Sequence, residues 1–261
     1  MIFPGLASVT LRQWPADKVA ALAREAGLLG VEWGGDVHVP HGDLVQARRV
    51  RALTDDAGLQ TVSYGSYYRV GHPDEERFKR VLLTAVTLGA PLIRVWAGKR
   101  PFRQADNAYW GQVLADAENI ALLAAEHNIQ IAFEFHSNTL ADSAVGARQL
   151  LQELADYGLF SYWQPPVLSS EEENAATLTT LAPWLRHLHV FSWREVDNRV
   201  ERLPLAARSE AWLRYLQLAD ELPGNRFALL EFVRDDDPAQ LMQDAASLHG
   251  FLSVIGNQSG Y

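Results

Sequence analysis

Three stretches of this sequence have the same form: GLLGVEW at residues 27–33, GLQTVSY at residues 58–64 and GAPLIRVW at residues 89–96. In each stretch a glycine closes a helix-like run, and a short apolar segment follows it. Gly27, Gly58 and Gly89 are spaced 31 residues apart. A helix that ends at a left-handed glycine, followed by a buried strand, is the joint of a repeated helix–strand unit.

The rest of the chain continues this alternation. Strand-like runs lie at residues 3–9, 29–33, 59–64, 92–96, 129–135, 159–163, 187–191 and 226–232. Helix-like runs begin at Pro15, Asp43, Asp74, Ala105, Asp142, Glu171, Ser209 and Asp237. Eight strands alternating with eight helices predict an α/β protein with a parallel sheet, and we expect residues 1–261 to form a single (β/α)₈ TIM barrel. An open, doubly wound sheet is the alternative.

The amino-acid composition disfavours or excludes several classes of partner and site. The 261 residues carry a formal net charge of −9, which disfavours nucleic acid and anionic membranes as partners because both need a basic face. There is no cysteine, which excludes disulfides and thiolate metal sites. The opening segment lacks a basic region before its apolar residues, and no run approaches the roughly 20 apolar residues of a membrane span. We therefore expect a cytoplasmic protein.

In a TIM barrel the chemistry lies where strands end and the following loops begin. The predicted strands place one set of polar and aromatic residues there: Glu32, Tyr64, Arg94, Trp96, Glu134, His136, Gln164, His189 and Glu231. This set supplies the candidate site residues.

Glu134 and Glu231 stand out because each follows an apolar run and precedes a phenylalanine. A carboxylate there would be poorly solvated, and a buried ion is costly unless it is paired or bound to a metal. Two carboxylates and the imidazole of His189 suit Mn²⁺, Mg²⁺, Co²⁺ or Zn²⁺, and Gln164 offers a fourth, neutral oxygen. Singly, such residues are more often salt-bridge or hydrogen-bonding partners; their occurrence at one level on three strands favours a metal site.

Three charged residues each have two interpretations. Glu32 either serves the site as a substrate-binding residue or anchors the loop at residues 34–43. Arg94 either binds substrate or pairs with Glu32 or Glu134 inside the barrel. Arg194, just after the seventh strand, either holds a substrate oxygen or pairs with an acid of its own loop, Glu195 or Asp197.

The histidines and tryptophans leave similar alternatives. His136 is expected to contact substrate or to support the metal ligands, and His38 and His41 either reach the mouth of the barrel or lie in solvent. We expect His187 and His189 to face opposite ways and choose His189 as the inward residue because it lies nearer the strand end. The tryptophans that follow strand ends form either an aromatic pocket wall or core: Trp33, Trp96, Trp163 and Trp193.

The segments FEFHSNT at residues 133–139, HLHVF at 187–191 and LLEFVRDDDP at 229–238 resemble the xylose isomerase-like TIM barrel superfamily of sugar isomerases and epimerases. In that family the fifth strand supplies a metal-binding Glu, the sixth usually an Asp, the seventh a His and the eighth a Glu. The resemblance implies Glu134, His189 and Glu231 as ligands. It departs at the sixth strand, where Gln164 stands in place of Asp and Val167 in place of a downstream His, so weaker metal binding is expected.

The resemblance implies a metal-dependent isomerase or epimerase, with Mn²⁺ as the first candidate metal. Its substrate would be a small, non-phosphorylated ketose-like compound, and Glu134 and Glu231 would move the proton through an enediolate. The same residues could run a dehydration of a keto-polyol such as an inosose or a dehydroshikimate-type compound. A metal-free binding barrel and a DNA-repair endonuclease are further alternatives; the net charge disfavours the latter. A homodimer or homotetramer is left open.

Overall fold

The computed structural model describes residues 1–72, 75–166, 169–197 and 199–258. Among these residues the strands are β1 (Ile2–Ala7), β2 (Gly30–Gly34), β3 (Gln60–Arg69), β4 (Leu92–Trp96), β5 (Gln130–Glu134), β6 (Phe160–Trp163), β7 (Leu185–Val190), β8 (Ser192–Val196), β9 (Arg199–Leu203) and β10 (Arg226–Leu230). The helices are α1 (Ala16–Glu25), α2 (Leu44–Asp56), α3 (Glu75–Leu88), α4 (Asn107–Ala125), α5 (Ala144–Glu153), α6 (Glu171–Leu181), α7 (Ser209–Asp220) and α8 (Pro238–Gln258). Short 3₁₀ turns follow several strands, among them Ser8–Leu11 after β1 and Arg234–Asp236 after β10.

The strands β1 to β7 and β10 form a closed barrel in which every neighbouring pair is parallel. β1 pairs with both β2 and β10, and this closure excludes the open sheet. The predicted (β/α)₈ barrel is therefore confirmed. β8 and β9 were not predicted; they form a separate antiparallel hairpin in the connection after β7.

The glycines and polar residues that mark helix ends in the sequence have the backbone conformations and capping bonds expected of them. Gly27, Gly58 and Gly89 have φ of 70°, 69° and 79°, the left-handed conformation expected at these helix ends. Two predicted helix starts, Ala105 and Asp142, lie early because the true caps are the next polar residues, Asp106 and Ser143, whose side chains accept backbone N–H bonds. The predicted start at Asp74 lies outside the described residues.

Apolar packing occupies two layers. The larger cluster lies between the barrel and the surrounding helices. A smaller cluster fills the barrel interior and includes Val62, Leu92, Ala132, Phe227 and Leu229. Inward residues alternate along each strand, so on β4, β5 and β10 these apolar side chains are followed two residues later by polar ones at the carboxyl end. Within the described ranges, no helix has the length and apolar character needed to cross a membrane.

His187 lies in the barrel interior, and its Nδ1 accepts the backbone N–H of Phe227 at 2.9 Å. Burial, helped by the nearby Arg186, lowers the pKa of His187 from its usual 6.5 to about 3. The folded protein therefore holds this ring neutral at pH values where the unfolded chain protonates it.

Replacing His187 with Asn, whose side-chain oxygen can accept the same N–H, should flatten the pH dependence of stability. Between pH 6 and pH 4 the unfolded wild-type chain binds one proton at His187 that the folded state does not, so stability falls by about 1.4 kcal/mol per pH unit from this group alone. Urea unfolding of both proteins at several pH values measures the difference, in which the other titrating groups cancel. Parallel stability curves for the two proteins would contradict the assignment.

Candidate active site

Five buried polar side chains converge at the carboxyl end of the barrel. Glu32 comes from β2, Arg94 from β4, Glu134 from β5 and His189 from β7, and Glu231 directly follows β10. Each is at most 4 % exposed. The strands that carry them are spread around the barrel, so only its closure brings these residues together.

Glu134, His189 and Glu231 offer ligand atoms that lie within 4.8 Å of one another. His189 Nδ1 is 3.4 Å from Glu231 Oε2 and 3.8 Å from Glu134 Oε1. Gln164 Oε1 is 3.2 Å from the same nitrogen. The residues predicted as ligands thus surround one small volume, at separations that a shared metal ion would span.

One atom of this group is unpartnered. Glu231 Oε2 is buried and has no hydrogen-bond partner among the described residues. Burial raises the pKa of Glu231 to about 7, against the lowering effect of His189. A buried carboxylate oxygen without a donor is costly, and a divalent cation between the carboxylates and the imidazole would satisfy it. The residues therefore fit a metal ion that accepts oxygen and nitrogen ligands.

Arg94 binds two of the carboxylates of the site. Its Nε donates to Glu32 Oε1 at 2.9 Å and its Nη1 donates to Glu134 Oε2. The indole N–H of Trp96 donates to the same Glu134 oxygen. Burial alone would raise the pKa of Glu134, but Arg94 and then His189 outweigh it and hold this pKa below its usual value. Both pairings that the sequence left open for Arg94 are present.

His189 lies between two groups of acids. Its Nε2 donates to Glu32 Oε1 at 3.2 Å, while its Nδ1 faces the ligand oxygens. The expectation that His187 and His189 face opposite ways is wrong. Side chains two residues apart on a strand share a face, and both rings contact Tyr162, with centroids 5.2 and 5.1 Å away.

Four side chains pack together at the mouth of the barrel, and the sequence predicted only Trp96 and His136 among them as site residues. The rings of Trp96 and His136 stack at 4.9 Å, and the guanidinium of Arg69 lies 3.8 Å from the centre of the Trp96 ring. Tyr67 packs edge-on against Trp96 and lies 5.2 Å from the Arg94 guanidinium. Trp96 therefore links the residues at the mouth of the barrel to the Glu134 carboxylate.

A cavity of about 550 Å³ lies beside this group and is lined by Gln164 and by the residues that follow Glu134 and Glu231, Phe135 and Phe232. Its polar lining includes His136, Asn138, Asp142, Gln164, Glu195 and Arg199, and its aromatic lining includes Phe135, Phe191, Trp193 and Phe232. Phe191 and Trp193 stack at 4.3 Å. A volume of this size accommodates a monosaccharide-sized molecule.

Two bulky residues near the ligands adopt left-handed backbone conformations. Phe232, next to Glu231, has φ of 50°, and Tyr67 has φ of 52°. Aromatic residues rarely adopt these angles, and such strain is held mainly at functional sites. At Phe232 the turn directs the chain away from the barrel immediately after Glu231.

Other predicted site residues lie farther from the ligands. His41 Nδ1 is 2.7 Å from the Tyr64 hydroxyl, and it is not among the residues that line the cavity. Arg194 is exposed on the β8–β9 hairpin and pairs with Glu201 at 2.7 Å rather than with Glu195 or Asp197. His38 bonds to Ser8 Oγ and the Trp14 carbonyl, which is a structural arrangement.

Two of the tryptophans belong to the core. Trp33 donates its indole N–H to Thr54 on α2 and Trp163 to Thr177 on α6, so both face the helix layer. Their positions differ in parity from Glu32 and Gln164, which decides the face. Val167, the predicted place of the missing histidine, lies outside the described residues.

The residues that sequence reasoning missed come from irregular strand ends. β3 runs to Arg69 through a register shift after Gly65, whereas the predicted strand stopped at Tyr64. Tyr67 and Arg69 therefore replace Tyr64 at the mouth. The run of aromatic residues SYGSYYR was the available signal, but it did not reveal which tyrosine points inward.

Comparison with known families identifies the class of protein that this barrel and site define. The profile of the xylose isomerase-like TIM barrel family matches residues 20–243. The chain belongs to this family, as the resemblance of its strand ends predicted. Among curated proteins, no relative is found by sequence.

Solved structures with the same fold have diverse activities. A probable 3-DHS dehydratase of Bacillus anthracis involved in petrobactin synthesis is 18% identical, covers 95% of this chain and 99% of its own, and has a TM-score of 0.77. D-psicose 3-epimerase of Clostridium cellulolyticum is 15% identical over 97% and 99%, with a TM-score of 0.67. A Mycobacterium smegmatis barrel of the same family, solved with magnesium, is 15% identical over 97% of each chain, with a TM-score of 0.68. At these identities the likeness concerns the fold.

Gly65 makes room for the central ion pairs. A Cβ at this position would lie 2.7 Å from Arg94 Nη2 and 3.2 Å from Glu32 Oε1. Arg94 cannot move aside cheaply, because two carboxylates hold it. We expect Gly65→Ala to destabilise the protein by about 1–3 kcal/mol.

Gly111 is the matched control. It lies in α4, and a Cβ at this position would have no described atom within 4 Å, apart from its own chain neighbours and helix backbone. Gly111→Ala should stabilise the protein by up to about 1 kcal/mol through helix propensity. Equilibrium urea unfolding measures both changes. Equal effects in the two variants would contradict the close packing at Gly65.

Proposed function

We propose that this protein is a divalent-metal-dependent isomerase or epimerase of a small, non-phosphorylated ketose-like sugar or hydroxy-carbonyl compound. The observation that carries the proposal is the buried oxygen of Glu231 that accepts no hydrogen bond among the described residues and faces His189 and Glu134, beside a cavity of about 550 Å³. Glu134, His189 and Glu231 would hold the metal, with Gln164 as a neutral fourth ligand. The metal would supply Lewis-acid polarisation of a substrate carbonyl.

The two glutamates are not equivalent, and this assigns their roles. Glu134 Oε2 accepts N–H groups from both Arg94 and Trp96, so that oxygen has little capacity left for a proton. Glu231 Oε2 has no such donor among the described residues. With Oε2 directed to the metal, Glu231 would remove the proton beside the substrate carbonyl through its second carboxylate oxygen. Glu134 would be left with its other oxygen, Oε1, which lies 3.8 Å from His189 Nδ1.

The remaining residues of the site would bind substrate. Trp96 stacks on His136, and His136, Phe191, Trp193 and Phe232 line the cavity. Aromatic faces of this kind pack against the C–H faces of a sugar ring. We assign substrate binding to His136 and Trp96, and a supporting electrostatic role to Arg94.

The inequality of the glutamates also favours a second candidate, the dehydration of a cyclic keto-polyol. Elimination needs one residue to take the proton beside the carbonyl and then deliver it to the β-hydroxyl, whose C–O bond breaks so that water leaves and a C=C bond forms. A probable 3-DHS dehydratase is among the structures similar to this chain. Glu231 would act as the base in this reaction as well.

Incubation with substrates in D₂O distinguishes the candidates. The protein, loaded with Mn²⁺, would be incubated separately with a panel of ketoses and of cyclic keto-polyols. An epimerase incorporates deuterium beside the carbonyl and forms the epimer, whereas a dehydratase forms a conjugated, ultraviolet-absorbing enone. Glu231→Gln should abolish either reaction. If the wild-type protein binds no Mn²⁺ at millimolar concentration, the proposal fails and a metal-free binding barrel remains.

Gln164 offers a test of the metal site that does not depend on the substrate. Gln164→Glu adds a negative charge 3.2 Å from the ligating nitrogen with little change in shape. We expect Mn²⁺ to bind at least about tenfold more tightly, a gain of about 1.4 kcal/mol. Isothermal titration calorimetry measures the affinity.

Gln60→Glu provides the control, because Gln60 is exposed at the opposite end of the barrel and the variant adds the same charge. Its Mn²⁺ affinity should stay close to that of the wild type. An equal gain in both variants would indicate a general charge effect rather than ligation by residue 164.

A further inference from the structure

Glu32 is a buried acid with no assigned part in the chemistry. It lies on β2, and its side chain is 2 % exposed. Its two oxygens accept bonds from three residues: Ser63 Oγ at 2.7 Å, Arg94 Nε at 2.9 Å and His189 Nε2 at 3.2 Å. These contacts take up three of the roughly four acceptor positions of a carboxylate.

The position of Glu32 separates it from the ligands. Glu134, His189 and Glu231 form the group that can share one ion among the described residues, and Glu32 is not part of it. Glu32 contacts Nε2, whereas the ligand oxygens face Nδ1 on the other side of the ring. Its oxygens are held by Ser63, Arg94 and His189, which lie beneath the mouth of the barrel.

The contact has a chemical consequence for His189. A carboxylate that is held ionised by Arg94 can only accept hydrogen bonds, so Nε2 of His189 must carry a proton. When the ring is neutral, its lone pair then lies on Nδ1, the atom that faces Glu134, Gln164 and Glu231. A ring with the other tautomer would present an N–H to the metal position and could not bind a cation there.

From this geometry we infer that Glu32 is a positioning residue that holds His189 in the tautomer and orientation needed for ligation through Nδ1. The inference rests on the proposed metal site. Arg94 joins the two halves of the arrangement, because it bonds to both Glu32 and the ligand Glu134. The sequence interpretation of Glu32 as a substrate-binding residue stays a prediction beside this proposed role.

Metal affinity provides the first test. Calorimetric titration with Mn²⁺ alone and with Zn²⁺ alone would compare the wild type with Glu32→Gln and Glu32→Asp. Glu32→Gln removes the charge, whereas Glu32→Asp keeps a charge for Arg94 and withdraws the carboxylate from His189. We expect both variants to bind about 10–100-fold more weakly. Ser63→Ala is the control, since it removes another partner of Glu32 without touching His189, and its affinity should stay close to that of the wild type.

The ring tautomer provides a second test that needs no metal. Long-range ¹H–¹⁵N spectra of histidine-labelled, metal-free protein at alkaline pH report which ring nitrogen carries the proton, and His189→Gln assigns the signal. The wild type should show the Nε2–H form and the Glu32 variants a mixture.

The outcomes separate the two proposals. A wild-type ring protonated at Nδ1, or unchanged metal affinity in both Glu32 variants, would overturn the role of Glu32. A wild-type protein that binds neither metal but shows the Nε2–H form would refute the proposed function and leave the positioning intact.

Discussion

The placement of Arg94 inside the barrel is the constraint on which the rest of the site depends. A guanidinium that is 2 % exposed has to be neutralised where it stands, and it lies between Glu32 and Glu134. Those two carboxylates are consequently fixed in direction as well as in charge. Breaking either pair would leave an uncompensated buried ion, which costs several kcal/mol. The position of His189 follows, because its Nε2 contacts the oxygen of Glu32 that Arg94 also holds.

This arrangement distributes charge unevenly around one volume. On one side the donors of Arg94 and Trp96 stabilise Glu134 as an anion. On the other side Glu231 has the raised pKa of a buried acid that lacks donors among the described residues. Catalytic sites commonly contain two acids whose surroundings separate their proton affinities, because one must stay charged while the other exchanges a proton. The barrel achieves this with residues from its fixed strands rather than from mobile loops.

The sequence was sufficient for the fold and for the residues that face the barrel axis. Regular glycines and apolar runs mark each helix–strand joint, and an acid within an apolar strand is conspicuous, so Glu134, His189 and Glu231 could be predicted. Features that depend on departures from regular geometry could not. The register shift in β3 moves Tyr67 rather than Tyr64 to the mouth, and the β8–β9 hairpin has polar, exposed strands without a strong apolar pattern. The shared face of His187 and His189 was available from strand periodicity and was misjudged.

The β8–β9 hairpin and the barrel strands contribute different residues to the site. Trp193, Glu195, Arg199 and Val200 line the cavity from β8 and β9, whereas the groups proposed to carry the chemistry belong to the barrel strands or their immediate ends. The hairpin pairs only with itself in the described sheet topology, so changes in its length or composition leave the barrel ladder unaltered. Substrate preference in such a protein can therefore diverge by exchange of one short insertion, and reshaping this loop is a direct route to altered specificity on an unchanged reaction centre.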